Sequence, residues 1–224
     1  MIESFANEAE LAAAAAEATV AALAVGLAAR DHASLVGTGG RSPAPVYDAL
    51  RNADLDWGRI TVTLSDDRFV PPTSPDSNEA LVRARLLQGR AAAATFLPLY
   101  SNAPSPEACA EIAEPHLRAL APFDMLFLGM GEDGHVASLI PGSPAMATGL
   151  DPRCERFAIG IPAGVGSPPV ARISLTLPAL LQARATLVLI RGEVKREIVE
   201  RGSGLPVHAL IKQAKAPLRV LWAP

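Results

Sequence analysis

Apolar residues fall along this chain in short blocks, each ended by glycine, proline or a cluster of charge. Ala33 to Val36 runs into Gly37-Thr38-Gly39-Gly40. Ile60, Val62 and Leu64 alternate with polar positions ahead of Ser65-Asp66-Asp67-Arg68, Met125 to Leu128 stops at Gly129, and Thr186 to Ile190 leaves through Gly192. Short alternating or continuous apolar runs bounded by turn residues predict strands, and the same pattern predicts strands over 95–100, 157–161, 170–177 and 218–222. Helical spacing, caps and alanine propensity predict helices over 7–30, 45–50, 78–87, 106–120, 179–183, 193–201 and 206–213, with Pro115 expected to kink or split the fourth. Residues 136–140, after the Gly129–His135 loop, read as a helical turn, and 146–155 as an irregular excursion.

Strands alternate with helices without a repeat or a long linker. The expectation is one α/β domain over residues 1–224, its first strand about thirty residues in and its sheet mostly parallel. Right-handed crossovers would bring the carboxyl ends of the strands to one edge. The loops after residues 36, 64, 128 and 190 would then surround one pocket.

Composition narrows the class. Of 224 residues, 50% are hydrophobic and 19% charged, and the formal net charge is −3. That excludes a disordered chain and gives no basis for a nucleic-acid surface, so an anionic ligand needs a local cluster of cations. Cys109 and Cys154 lie outside any ligand spacing, which predicts reduced thiols in a cytoplasmic protein and no metal site. Leu11 to Ala29 carries only Glu17, but it is alanine-dominated and preceded by Glu3, Glu8 and Glu10 where a secretory signal has lysine or arginine. It is expected to be a soluble helix rather than a membrane span.

Candidate chemistry sits where strands end. Gly129-Met130-Gly131-Glu132-Asp133-Gly134-His135 holds an acid and a histidine two residues apart in a glycine loop. It is either a site loop or a tight turn with solvated side chains. Gly39-Gly40-Arg41-Ser42-Pro43, between strand and helix, can cradle phosphate with backbone N–H groups or be a turn capped by Ser42. Asp66-Asp67-Arg68 can be a self-neutralising surface cluster or part of a site, and Asn78 can be only a helix cap. Arg172 begins a strand. Lys195 occupies the first turn of a helix, where the dipole disfavours a cation.

Taken together, these blocks resemble the 6-phosphogluconolactonases. Gly39 to Pro43 is similar to that family's Gly-Gly-Ser-Thr-Pro, and Asp66-Asp67-Arg68-Phe69-Val70-Pro71 with Ser77-Asn78 to its Asp-Glu-Arg-x-Val-Pro and Ser-Asn. Leu128 to Leu139, Arg172 to Thr176 and Gly192 to Lys195 complete the likeness, which covers nearly the whole chain. The resemblance implies a three-layer, Rossmann-like α/β sandwich similar to glucosamine-6-phosphate deaminase. That deaminase typically continues Asp-Gly-His with Ala-Phe-Asn-Glu-Pro, whereas this chain has Val136-Ala137-Ser138-Leu139-Ile140-Pro141, with no acid. A deaminase-type isomerase and a non-catalytic sugar-phosphate sensor are the alternatives. Departures from the lactonase pattern are Arg41 for serine, Ser42 for threonine, Val136 for threonine and Asp67 for glutamate; Arg41 either adds a phosphate contact or points to solvent.

The activity implied is hydrolysis of 6-phospho-D-glucono-1,5-lactone in the oxidative pentose phosphate pathway, without cofactor, nucleic acid or membrane. Lactone hydrolysis requires deprotonation of the attacking water, donors for the oxyanion and a proton for the departing ring oxygen. An imidazole titrates close enough to neutrality to serve both proton steps. His135 is the expected group, oriented by Asp133 or Asp66, with loop N–H groups around Gly131 to Gly134 holding the oxyanion. Gly39, Gly40, Ser42, Arg68, Asn78, Arg172 and Lys195 are expected to hold the substrate and its phosphate.

Overall fold

The structure, a computed structural model, describes residues 2–224. Its first half runs β1 (Ile2–Ser4), α1 (Glu8–Arg30), β2 (Ala33–Gly37), α2 (Ala44–Leu50), β3 (Ile60–Leu64), β4 (Asp66–Arg68), α3 (Asn78–Arg85), β5 (Thr95–Phe96) and α4 (Pro106–Leu120). Next come β6 (Met125–Gly129), α5 (Met146–Leu150), β7 (Ala158–Ile161), β8 (Arg172–Leu175) and α6 (Leu177–Leu180). The chain closes with β9 (Thr186–Arg191), α7 (Glu193–Arg201), α8 (Pro206–Gln213) and β10 (Leu218–Ala223).

Seven strands form a parallel sheet in the order β1-β10-β9-β6-β2-β3-β5. Every residue of β2 is buried, as are the first four of β6 and the first five of β9. Strands buried at successive positions must be covered on both faces, which is why they read as continuous apolar runs. From β2 the chain winds outward through β3 to β5, then returns to the other side of β2 with β6 and continues to β9 and β10. The reversal between β2 and β6 opens a crevice at the carboxyl ends of the strands, the usual ligand position in such sheets.

α1 is long and apolar enough to cross a membrane by length and composition. Here its Leu11, Ala15, Thr19 and Leu23 face is buried with the core, while Asn7 caps it by accepting from Glu10 N and Asp31 ends it in the left-handed region at φ 64°.

Several elements depart from the sequence-based expectation. The first strand is β1, not residues 33–36; three residues carry too little period to announce a strand, and β1 exists because Ile2 to Ser4 pairs with Val220 to Trp222. The strand at 95 is only two residues long: Leu97 N–H still reaches Val62 O, but Leu97 O accepts from the Thr63 hydroxyl at 2.9 Å instead of a backbone N–H of β3. α4 passes Pro115 unbroken because that residue lies on the exposed face. A short helix, α5, occupies part of 146–155. The helical turn expected at 136–140 is instead a tight turn, with Ala137 at φ 50° and Leu139 N–H donating to Val136 O. Ser138 pulls the chain out of helix there, as its N–H is held by Ser174 Oγ.

A second sheet was not legible. β4, β8 and β7 form an antiparallel sheet in that order. Its free edge, β7, is covered by α4: Glu107 Oε2 accepts from Gly160 N at 2.7 Å and Glu114 Oε2 from Ala158 N at 3.1 Å. Carboxylates thus satisfy the N–H groups an edge strand would otherwise expose. The approach requires glycine at 160, because a Cβ there would stand 2.3 Å from Glu107 N. Gly160→Ala is expected to cost about 1–3 kcal/mol, the usual penalty of overpacking against backbone. An unchanged denaturant midpoint would rule this out.

Candidate active site

The four loops expected to converge do so. Residues 38–43 after β2, Asp66, Arg68 and Asn78 beyond β3, Gly129 to Gly131 with His135 and Ala137 after β6, and Lys195 after β9 line one cleft of ≈ 230 Å³. Four cations, Arg41, Arg68, Arg172 and Lys195, face one carboxylate, Asp66.

His135 is held by its own loop. Its Nδ1 lies 2.6 Å from Asp133 Oδ1, and the same oxygen accepts from His135 N at 3.2 Å. A carboxylate accepts only, so Nδ1 carries the proton and Nε2 is left with a lone pair. Gly131 permits this packing: a Cβ there would sit 2.3 Å from His135 Nδ1 and 2.5 Å from Asp133 Oδ1. Asp133 stands behind the imidazole rather than on the cleft wall.

Asp66 does not orient the imidazole. Its Oδ2 accepts from Ser138 Oγ at 2.6 Å and lies 3.9 Å from Arg172 Nη1, so it is the counter-charge of an arginine. Gly131 and Gly134 also differ from expectation as oxyanion donors. Gly131 N–H donates to His135 O at 3.1 Å and Gly134 N–H to Gly131 O at 3.0 Å, so both are spent in closing the loop. Gly134 is buried, packed so closely on Leu205 that an added Cβ would meet it at 2.6 Å.

The second sheet brings two arginines together. Arg68 on β4 stands directly opposite Arg172 on β8. Phe69 N–H donates to Ala171 O next door, which makes 68/172 a non-hydrogen-bonded pair, where side chains stand closest. Like charges facing across a ladder are unfavourable unless an anion joins them. Arg172 is 4% exposed, and burial lowers its pKa, with Asp66 opposing and Arg68 adding to the effect. Its Nη2 donates to Pro168 O and its Nη1 to Ser138 Oγ, while Arg68 Nη1 donates to Asp76 O. The Nε atoms of both arginines are buried and meet no protein partner among the described residues.

Asp67 points to the other face and organises the wall. Its carboxylate accepts from the N–H groups of Arg68, Asn78 and Glu79 and from Ser77 Oγ, tying β4 to the start of α3. Burial pushes it up to about 6 against the pull of those N–H groups. Asn78 lines the cleft, but its Nδ2 is committed to Asp66 O at 2.8 Å and its Oδ1 lies where a Cβ on Gly39 would be, 1.9 Å away. It braces the glycine loop against β4 as well as facing the cleft.

On the β2 side, buried Tyr47 clamps the loop, its hydroxyl accepting from Thr38 N and donating to Thr38 O. Gly40 turns at φ 97°. The N–H groups of Gly39 and Gly40 donate to no acceptor among the described residues, and Ser42 does not cap α2, whose N-cap is Pro43. Lys195 is half-buried; burial lowers its pKa, Glu132 raises it, Arg41 lowers it, and Asp133 and Arg191 act more weakly in opposite senses. The cations therefore form two groups, Arg41 with Lys195 and Arg68 with Arg172. Ser138 was not expected as a site residue, and Arg41, for which a phosphate contact and solvent were both open, lines the cleft. Ser138 lay in the central block, but its reach to Asp66, 72 residues away, has no local signal.

A parallel α/β fold with a cation-rich cleft at the topological switch point, and one oriented histidine in it, defines a class of sugar-phosphate-type enzyme. The family model described as "Glucosamine-6-phosphate isomerases/6-phosphogluconolactonase" matches residues 6–222, and the chain belongs to that family. It is 41% identical over 224 residues to the 6-phosphogluconolactonase of Caulobacter vibrioides, covering 99% of this chain and 97% of that one. A crystal structure of a 6-phosphogluconolactonase from Shewanella baltica superposes with a TM-score of 0.94 at 31% identity, covering 100% and 97% of the two chains. A monomeric glucosamine-6-phosphate deaminase has the same fold, at TM-score 0.81, 18% identity and coverage of 99% and 96%.

Proposed function

We propose that this protein is an enzyme that hydrolyses 6-phospho-D-glucono-1,5-lactone to 6-phosphogluconate in the pentose phosphate pathway, with residues 1–224 acting as one α/β lactonase domain in the cytoplasm. The observation that carries the reading is the oriented imidazole of His135 in a cleft with four cations against one carboxylate. Full-length likeness to 6-phosphogluconolactonases supports it.

In the proposed mechanism His135 Nε2 takes a proton from water as it attacks the lactone carbonyl, and Asp133 balances the imidazolium through Nδ1–H. The same Nε2–H then protonates the ring oxygen as the C–O bond breaks. With the Gly131 and Gly134 amides occupied, the guanidinium groups of Arg68 and Arg172 are the cationic groups on the cleft wall suited to the developing oxyanion. Lys195, the Gly39 and Gly40 N–H groups and the Ser42 hydroxyl take the phosphate, a tetrahedral dianion that converging N–H groups fit. Fixing the phosphate there places the carbonyl beside His135, so remote binding energy lowers the barrier. This revises the assignment of the arginine pair to phosphate. The scheme requires no metal or organic cofactor, and the partner is a small soluble sugar phosphate rather than nucleic acid or membrane.

The two cation groups make separable predictions. Lys195→Ala is expected to lower kcat/KM for the phosphorylated lactone by roughly 10²-fold, and for unphosphorylated gluconolactone by much less. Arg68→Ala is expected to lower both by similar factors. Equal losses in Lys195→Ala would remove that residue from the phosphate site. The activity itself is tested by a coupled dehydrogenase assay on fresh 6-phosphogluconolactone, with spontaneous hydrolysis subtracted. Ammonia release from glucosamine 6-phosphate would instead establish the deaminase reaction, and binding without turnover a sensor.

A further inference from the structure

The chain has seventeen arginines, and fifteen of them have a carboxylate oxygen within 4.0 Å. The two that do not, among the described residues, are Arg41 and Arg68, and both line the cleft. On a protein with 23 acidic residues against 20 basic ones, an exposed arginine ordinarily finds an acid. Arg68 is anchored by the Asp76 carbonyl and faces Arg172. Arg41 has no such anchor, and its charge falls on Lys195, which also lacks a carboxylate within 4.0 Å among the described residues.

We propose that Arg41 is a specificity-determining residue that joins Lys195 in gripping the substrate's phosphate. This deepens the lactonase reading and rests on its placement of the phosphate at the glycine loop. Glu132 acts on Lys195 only from beyond 4.0 Å, so two cations facing one cleft without a paired acid still repel one another, and an anion between them removes that cost. A phosphate monoester carries about −1.5 to −2 charges near neutrality, more than one lysine neutralises, and a guanidinium can donate two parallel N–H bonds to it where an ammonium acts as a point charge. The loop geometry favours this contact. Because the turn is made at Gly40, Arg41 leaves the loop at the cleft rim, one residue beyond the uncommitted N–H groups of Gly39 and Gly40. Arg41 thereby adds reach and selectivity for a phosphorylated lactone without touching the reacting carbonyl.

The test compares wild type with Arg41→Ala and Arg41→Lys on 6-phosphogluconolactone and on unphosphorylated gluconolactone. The expected result in Arg41→Ala is an increase of about tenfold in KM for the phosphorylated lactone, with kcat within about twofold. The preference for the phosphorylated over the plain lactone should fall by the same factor, and competitive inhibition by inorganic phosphate should weaken in parallel. Arg41→Lys should recover part of the loss, and the rise of KM with added salt should be shallower in Arg41→Ala than in wild type. Unchanged KM, or equal losses on both lactones, would overturn the proposal. Calorimetric binding of 6-phosphogluconate to the same proteins separates the two levels of inference. Absence of turnover in wild type would overturn the lactonase reading, while weaker binding to Arg41→Ala would still uphold the phosphate contact and equal binding would refute it.

Discussion

His135→Ala is expected to lower kcat on 6-phosphogluconolactone by roughly 10²–10⁴-fold, the range in which a positioned acid–base group contributes. KM and 6-phosphogluconate binding should change little, because the phosphate site lies on other loops. The protein should stay folded, since the imidazole side chain is 28% exposed and its side-chain bond is to Asp133 within the same loop. Steady-state kinetics beside a thermal melt distinguish these outcomes. A variant that melts like wild type and turns over within about threefold of it would remove His135 from the proton transfers.

Gly131→Ala is expected to lower kcat by roughly 10²-fold, although it deletes no catalytic group. Displacing a catalytic group by about an ångström can cost that much, and the added methyl would lie 2.3 Å from His135 Nδ1, 2.4 Å from its Cε1 and 2.5 Å from Asp133 Oδ1. Either the imidazole or the carboxylate must move, which breaks the 2.6 Å contact that sets the tautomer. Gly131 does not have a positive φ, so alanine meets no backbone strain and the loss reports on the pair. Because only one methyl is added, KM should stay near wild type. A raised KM with unchanged kcat would mean that the loop serves substrate contact rather than imidazole orientation.

Much of the site was legible because the loops that build it are local. Each combines a strand end with glycines or charge within a few residues, so His135, Lys195, Gly39 and Gly40 could be picked from the chain and all reached one cleft. The bonds made inside that cleft were not legible. Asp133 and Asp66 were equal candidates to orient His135, and the choice depended on Ser138 and Arg172 engaging Asp66 from distant segments. The Gly131 and Gly134 amides looked like oxyanion donors because glycine loops often present free N–H groups, yet two short backbone bonds occupy them. Arg172, which the pattern placed at the start of a strand without saying what lies beside it, is on β8, the middle strand of its sheet, with β4 on one side and β7 on the other.

The alternation of strands and helices, the parallel sheet and the residue types able to do the chemistry all follow from the order of amino acids, because propensity, periodicity and turn signals act over a few residues. Folding in three dimensions was needed to pair β4 antiparallel with β8 so that Arg68 meets Arg172, to close the sheet edge with β1 beside β10, and to reverse the winding between β2 and β6. Those are pairings between segments far apart in the chain. Their free energy comes from burial and hydrogen bonds made only when both partners are in place, so neither segment carries the information alone.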